Sequence, residues 1–261
     1  MTQDVLVTDR DAVRWIEIHR PETRNGLTLD VNLQLMEALG GAAGAGARAV
    51  VLSGHGGHFC SGLDLKDAMR RGPMSPEQLE RGMRENFHGL IRAVRAVDSP
   101  VIAAVDGAAA GFGCDLALAC DLRLVTERAR FGEIFVRRGL MPDGGGTFTL
   151  PRLVGVGRAL EIMLTGDQVE GAEAVRIGMA NRLLPVEGFE DAVWEFATGL
   201  AKGPPMVHRL VKRAVYEGLS GDLEAALERE ATGQLRCLQS ADFMEGVAAF
   251  LQKREPTFTG K

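Results

Sequence analysis

The reading of this chain is decided by residues 100–153: PVIAAVDGAAAGFGCDLALACDLRLV (100–125), then FGEIFVRRGL (131–140), then MPDGGGTFTLPRL (141–153). The run Val101 to Val105 has the length and β-branching of a buried strand. It breaks at Asp106-Gly107 and again at Gly111-Phe112-Gly113. A short apolar helix, Cys114 to Ala119, and a second strand, Leu122 to Val125, are expected to follow. A strand, a glycine turn and a helix start leave backbone N–H groups unpaired and aimed outward. Glycine lets the chain turn tightly and lets a ligand approach it. Such an end suits a phosphate or a developing oxyanion, although a G-x-G alone is also an ordinary tight turn. The second glycine cluster adds chemistry. In Pro142-Asp143-Gly144-Gly145-Gly146 one carboxylate sits on a loop with no bulky residue after it.

These segments resemble the crotonase, or enoyl-CoA hydratase/isomerase, superfamily. The resemblance rests on G-F-G-C-D-L-A-L-A-C-D, on F-G-E and on G-L-M-P-D-G-G-G-T, and it extends over nearly the whole chain. HRPETRNGL (19–27), HFCSGLDL (58–65), TGDQVEGAEAVRIGMAN (165–181) and the C-terminal AFLQKREPTFTGK belong to the same pattern. It implies an α/β fold, a crotonase-type spiral of ββα repeats. Residues 1–190 would form the core with the CoA thioester site, and residues 191–261 a helical trimerisation region. The implied oxyanion-hole donors are the backbone N–H groups of Leu63, just after the glycine of F-x-x-G, and of Phe112. Two fixed donors in a dry site stabilise a thioester enolate, and losing one such donor typically costs about 3 kcal/mol. The resemblance also implies CoA binding by Arg24, Cys60, Leu63, Asp64, Leu65 and Lys66. Phe250 and Lys253 of the last helix would reach a neighbour's CoA in a homotrimer or a dimer of trimers. Coenzyme A is then part of the substrate and no separate cofactor is expected.

Composition bounds the alternatives. The chain has 261 residues, 46% hydrophobic and 25% charged, with a net charge of −5. That is an ordinary globular composition with no basic excess to suggest nucleic acid. No apolar run approaches the roughly 20 residues of a membrane helix. The N-terminus lacks a signal-peptide pattern. Cys60, Cys114, Cys120 and Cys237 show no metal-like pairs, so reduced thiols and a cytoplasmic location are expected.

Outside the deciding stretch, Val5–Thr8 and Val13–Ile18 are expected to pair as strands across a turn at Asp9 to Asp11. Asn25-Gly26 is a strong turn signal. Leu29–Leu39 is predicted as a helix, Gly40–Ala47 as a flexible surface connection, and Ala49–Ser53 as a buried strand. His55 and His58 invite a metal reading, but no third ligand lies nearby in the sequence. Ser75-Pro76-Glu77-Gln78 carries a capping box, with Pro at the first helical position. Apolar residues then recur at helical spacing from Leu79 to Val97, with His88 beside the stripe. The family resemblance implies that residues 66–85 form a variable wall of the acyl pocket. Helices at Arg158–Leu164 and Ala172–Ile177, a strand at Arg182–Leu184 and a run of amphipathic helices from Phe189 complete the chain.

The carboxylates decide the reaction. Water addition is helped by two acids. Hydratases of the family carry Glu at the positions matching Asp115 and Phe135, and the second position here is aromatic. Glu133, two residues earlier, need not put its carboxylate on the same spot. Asp143 matches the acid of several isomerase branches, and one carboxylate that reaches two carbons can shift a double bond. Phe135, Phe112 and Met141 are expected near it, so desolvation should raise its pKa. The favoured expectation is an enoyl-CoA isomerase with Asp143 as base and Asp115 assisting or holding a hydrogen bond. Two alternatives stay open. One is an enoyl-CoA hydratase with Asp115 as the main acid. The other is a hydrolytic or dehalogenating enzyme pairing a nucleophilic Asp143 with His88.

Overall fold

The computed structural model describes residues 3–261. β1 (Val5–Arg10) and β2 (Val13–Ile18) form an antiparallel hairpin. Its turn is Asp11-Ala12, both left-handed with φ of 53° and 59°, one residue later than expected. β3 (Ala49–Gly54), β4 (Val101–Val105), β6 (Leu122–Val125) and β9 (Arg182–Leu183) add in parallel, giving the order β1-β2-β3-β4-β6-β9. A smaller sheet contains β5 (Ala108–Ala110), β7 (Arg130–Gly132) and β8 (Gln168–Glu170).

The spiral follows from this connectivity. Each turn runs from a strand of the large sheet, through a short second extended piece, into a helix. β2 leads through Leu27 to α1 (Leu29–Gly40). β3 leads through Cys60 and Leu63, which bridge to Ala109 and Leu27, into α2 (Leu65–Arg70). α3 (Pro76–Gly82) and α4 (His88–Ala96) finish that turn. β4 passes through β5 to α5 (Phe112–Ala119), and β6 through β7 to α6 (Gly146–Val154) and α7 (Val156–Thr165). α8 (Gly171–Arg176) precedes β9.

Strand alternation builds a core on each face of the large sheet. Ile16, Ile18, Val50, Leu52, Val101 and Val105 face the spiral helices. Val13, Trp15, Val51, Ile102 and Ala104 face α9 (Phe189–Ala201), which contributes Phe189, Val193 and Ala197. Each fully buried Val, Leu or Ile contributes about 1.5–3 kcal/mol. Helix α9 thus straddles the expected division at residue 190 and covers the sheet. α10 (Pro205–Gly218), α11 (Leu223–Leu238) and α12 (Ala241–Gln252) follow. They leave apolar side chains open, with Phe250 82% exposed. No helix among the described residues is long and apolar enough to cross a membrane.

Two local expectations need correction. Residues 40–47 are not a flexible link. Consecutive turns bind Gly41 N–H to Glu37 O and Ala47 N–H to Ala42 O, and Ala42 and Ala47 are buried. The helical run after Ser75, whose capping box forms, is not one α-helix either. It widens into a π turn at Met83–Phe87. There the buried Asn86 accepts from Asn32 Nδ2 at 2.7 Å and donates to Leu29 O at 2.9 Å. Such a turn re-aims the side chains that follow it, here Phe87 and His88.

Candidate active site

The loop after β3 and the start of α5 lie against each other. Leu27 N–H donates to Gly62 O at 2.8 Å and Asp64 N–H to Leu27 O at 2.9 Å, so the Leu63 amide falls between the ladder bonds. Gly62 has φ of +85°, and a Cβ there would sit 2.6 Å from Ala110 O and 3.3 Å from Phe112 N. Only glycine fits that approach. Phe112 is the first residue of α5, where N–H groups lack intrahelical acceptors. Among the described residues neither the Leu63 nor the Phe112 amide donates to another group of the chain. Both residues line one cavity of about 410 Å³.

The loop is anchored from behind. Asn25, fully buried in the left-handed region at φ 58°, donates from Nδ2 to His55 O at 2.8 Å and His58 O at 2.7 Å. Its Oδ1 accepts from Arg20 N–H at 3.0 Å. The turn signal at Asn25-Gly26 therefore also contains the clamp of the Leu63 segment.

Asp143 is half-buried on the cavity wall, and its Oδ1 has no hydrogen-bond partner. Burial pushes its carboxyl above the usual range, and the nearby charge of His88 offsets part of that rise. The following glycines have separate reasons. A Cβ at Gly144 would lie 2.5 Å from Asp115 Cβ, one at Gly146 would overlap Asp115 Oδ1, and Gly145 holds φ at +88°.

Asp115 is 1% exposed and does not line the cavity. Its Oδ2 accepts from Gly144 N–H at 2.8 Å. Burial raises its pKa most, opposed by the Gly144 N–H, with the Asp143 charge raising it further. Beside it lies Glu133, fully buried, both carboxyl oxygens without a hydrogen-bond partner. Burial first, and the Asp115 charge second, push Glu133 well up. Both effects favour the neutral acid over the carboxylate. Glu133 was not among the expected site residues. F-G-E marks its position, but not that the chain would turn it inward against Asp115.

Much of the remaining cavity wall is apolar, with Leu65, Met74, Leu79, Met83, Phe87 and Phe135, while Ser61, Arg71 and Arg138 add polar groups. Residues from α2 and α3 supply much of it, within the segment expected to be variable. Met141, expected near Asp143, is instead 70% exposed, and Leu140 takes the wall position. Phe87 packs edge-on against Phe112 with ring centroids 5.0 Å apart. Asp67, also on the wall, is tied to Arg71 at 2.9 Å.

The expected CoA contacts divide. Leu63 and Leu65 border the cavity; Lys66 is exposed at the start of α2, and Arg24 is exposed at φ 54°. Cys60 offers no free polar group. Its N–H and C=O are bonded to Ala108 and Ala110, and burial pushes its thiol up to about 12. Asp64 caps α2, accepting from Lys66 and Asp67 N–H at 3.1 Å each, and meets Arg20 at 3.1 Å. Burial opposes its charge, but those donors outweigh it and hold the carboxyl below its usual value. Phe250 and Lys253 do not line the cavity of their own chain.

Comparison with known proteins agrees with this geometry. The sequence profile described as "Enoyl-CoA hydratase/isomerase" matches residues 8–261. A "Probable enoyl-CoA hydratase" of Rhodobacter capsulatus is 44% identical over 246 residues, 94% of each chain. The "1,2-epoxyphenylacetyl-CoA isomerase" of Escherichia coli K12 is 35% identical over 100% of both chains. The crystal structure of an enoyl-CoA hydratase from Bacillus anthracis superposes with a TM-score of 0.93 at 34% identity, covering 99% of this chain and 100% of that one. With the fold, the paired amides and the P-D-G-G loop in place, the chain belongs to the enoyl-CoA hydratase/isomerase family of acyl-CoA enzymes.

Proposed function

We propose that this enzyme moves the double bond of an enoyl-CoA through a thioester enolate, with Asp143 carrying the proton. The thioester carbonyl oxygen sits between the Leu63 and Phe112 N–H groups, which hold the charge that develops when the α-proton leaves. Asp143 takes a proton from one carbon and returns it to another of the same acyl chain. Its raised pKa makes it a stronger base than a solvated aspartate. The observation that carries this reading is the placement of the carboxyls. Asp143 faces the cavity, whereas Asp115 and Glu133 lie behind its lining. Hydration would call for a second carboxylate to place water, and position 135 offers a phenyl ring instead. Asp115 acts by pinning the Gly144 N–H.

The CoA moiety lies along Arg24, Leu65 and Lys66, and Phe250 and Lys253 serve the site of a neighbouring copy in a homotrimer or dimer of trimers in the cytoplasm. The wide exposure of α12 supports that role. A second reading has one feature in its favour: positive charge on His88 would favour the Asp143 carboxylate. In that reading Asp143 attacks the halogen-bearing carbon of an aryl-halide thioester and displaces halide, and His88 takes a proton from the water that hydrolyses the resulting ester.

A panel of thioesters tests these readings. The purified enzyme should convert a 3-enoyl-CoA to the 2-enoyl isomer faster than it hydrates crotonyl-CoA. Dominant hydration would overturn the proposal. An aryl-halide thioester in labelled water should leave Asp143 unlabelled; label in Asp143 would establish the covalent reading.

A further inference from the structure

We infer that Glu17, His19 and His55 form a binding site for a divalent metal ion of the zinc class where β2 and β3 end. Sequence spacing alone paired His55 with His58, but the fold separates those two. His58 turns inward, its Nδ1 within 3.3 Å of the Ala108 amide. His55 instead meets residues from the neighbouring strand.

The register explains why. β2 and β3 run parallel with Ile18 opposite Gly54, and His55 N–H bonds Ile18 O at 2.9 Å. His19 and His55 therefore leave the sheet side by side. Glu17, two residues before His19, projects to the same face. The two imidazoles stand 4.2 Å apart at 44°. Their Nδ1 atoms lie 3.3 Å and 3.2 Å from the same oxygen, Glu17 Oε1. One ligand atom from each residue falls within 4.8 Å of the others.

The two nitrogen–oxygen spacings match edges of a coordination tetrahedron. With zinc–nitrogen and zinc–oxygen bonds of about 2.0–2.1 Å, neighbouring ligand atoms are about 3.3 Å apart. Two imidazoles and a carboxylate suit zinc or its neighbours and not magnesium or calcium. His55 is 47% exposed in its side chain, so a fourth position opens to water. Among the described residues, no Lys or Arg lies within ion-pair distance of Glu17, so none competes for its carboxylate. None of the three residues lines the acyl cavity, so the metal acts outside the chemistry. It would clip the end of β2 to the loop that carries Leu63.

The same spacing would serve two ordinary N–H···O hydrogen bonds, and metal binding distinguishes the two. Calorimetric titration of the chelator-treated enzyme with Zn²⁺ should show one site. Affinity should fall at least about tenfold in each of His19→Ala, His55→Ala and Glu17→Gln as a ligand is lost. Cys237→Ser, which removes the one thiol that is not fully buried, should bind as the parent does. In a measurement that needs no variant, Co²⁺ added to the parent enzyme should give the visible bands of a four-coordinate nitrogen–oxygen site without thiolate charge transfer. Failure of the parent to bind Zn²⁺, undiminished affinity in the histidine variants, or a thiolate band would overturn the assignment.

Discussion

Replacing Gly144 by Ala tests how the aspartate loop is held. The new Cβ would lie 2.5 Å from Asp115 Cβ and 2.8 Å from Asp115 Oδ2. Carbon atoms pack at about 3.5–4.0 Å, so something must move by about 1 Å. Asp115 cannot yield easily, because all of α5 around it is buried. The loop therefore moves, and the 2.8 Å bond from Gly144 N–H to Asp115 Oδ2 is lost. An unsatisfied buried acceptor costs about 1–3 kcal/mol of stability. A reacting group displaced by about 1 Å loses on the order of 10²-fold in rate, or about 2.7 kcal/mol in the barrier. The assay is steady-state isomerisation of a 3-enoyl-CoA, with thermal melting alongside. The expected result is a kcat loss of that order with KM little changed. Gly145→Ala is the control. It meets no atom within 4 Å but sits at φ +88°, so it should cost about 1 kcal/mol of stability and little kcat. If Gly144→Ala kept full kcat, the idea that Asp115 positions Asp143 through this amide would be wrong.

Other outcomes follow from the same geometry. Glu133 has a folded-state pKa above its ordinary 4.5, so the native state holds a proton that the unfolded chain gives up. Its contribution to stability is complete below that ordinary value and is lost as pH rises toward the folded-state pKa, at up to about 1.4 kcal/mol per pH unit. Glu133→Gln should flatten that decline in urea melts at about pH 6 and about pH 9, while activity near neutrality stays close to the parent's. Asn25→Ala removes three hydrogen bonds inside the loop clamp. It should cost about 3 kcal/mol by chemical denaturation. Phe250→Glu places a charge on an 82% exposed apolar position; if the proposed trimer forms through this helix, the variant should sediment as smaller species than the parent and bind CoA thioesters more weakly.

The two glycine clusters made much of the site legible before any coordinates. Gly62 stands where backbone meets backbone, Gly144 and Gly146 where the chain closes on the Asp115 side chain, and Gly111 and Gly145 where φ is positive. Strand faces were legible as well, since Val101 to Val105 can only be buried. What escaped depended on partners distant in the chain. Glu133 is an ordinary acid in sequence, and its pKa is pushed up by burial and by the Asp115 charge only once the fold brings them together. Asp64, which the resemblance places among the CoA contacts, also caps α2 from its position just before that helix. The π turn at Met83–Phe87 has no local signature, since it follows from how Asn86 bonds Asn32 and Leu29. His19 and His55 come together only through the register of two parallel strands.

The most direct test of the mechanism is Asp143→Asn, which keeps the shape of the side chain and removes the base. Turnover of a 3-enoyl-CoA should fall at least about 10²-fold, while a saturated acyl-CoA binds as tightly as before, because the Leu63 and Phe112 amides still hold the carbonyl. Unchanged turnover in that variant would contradict the account.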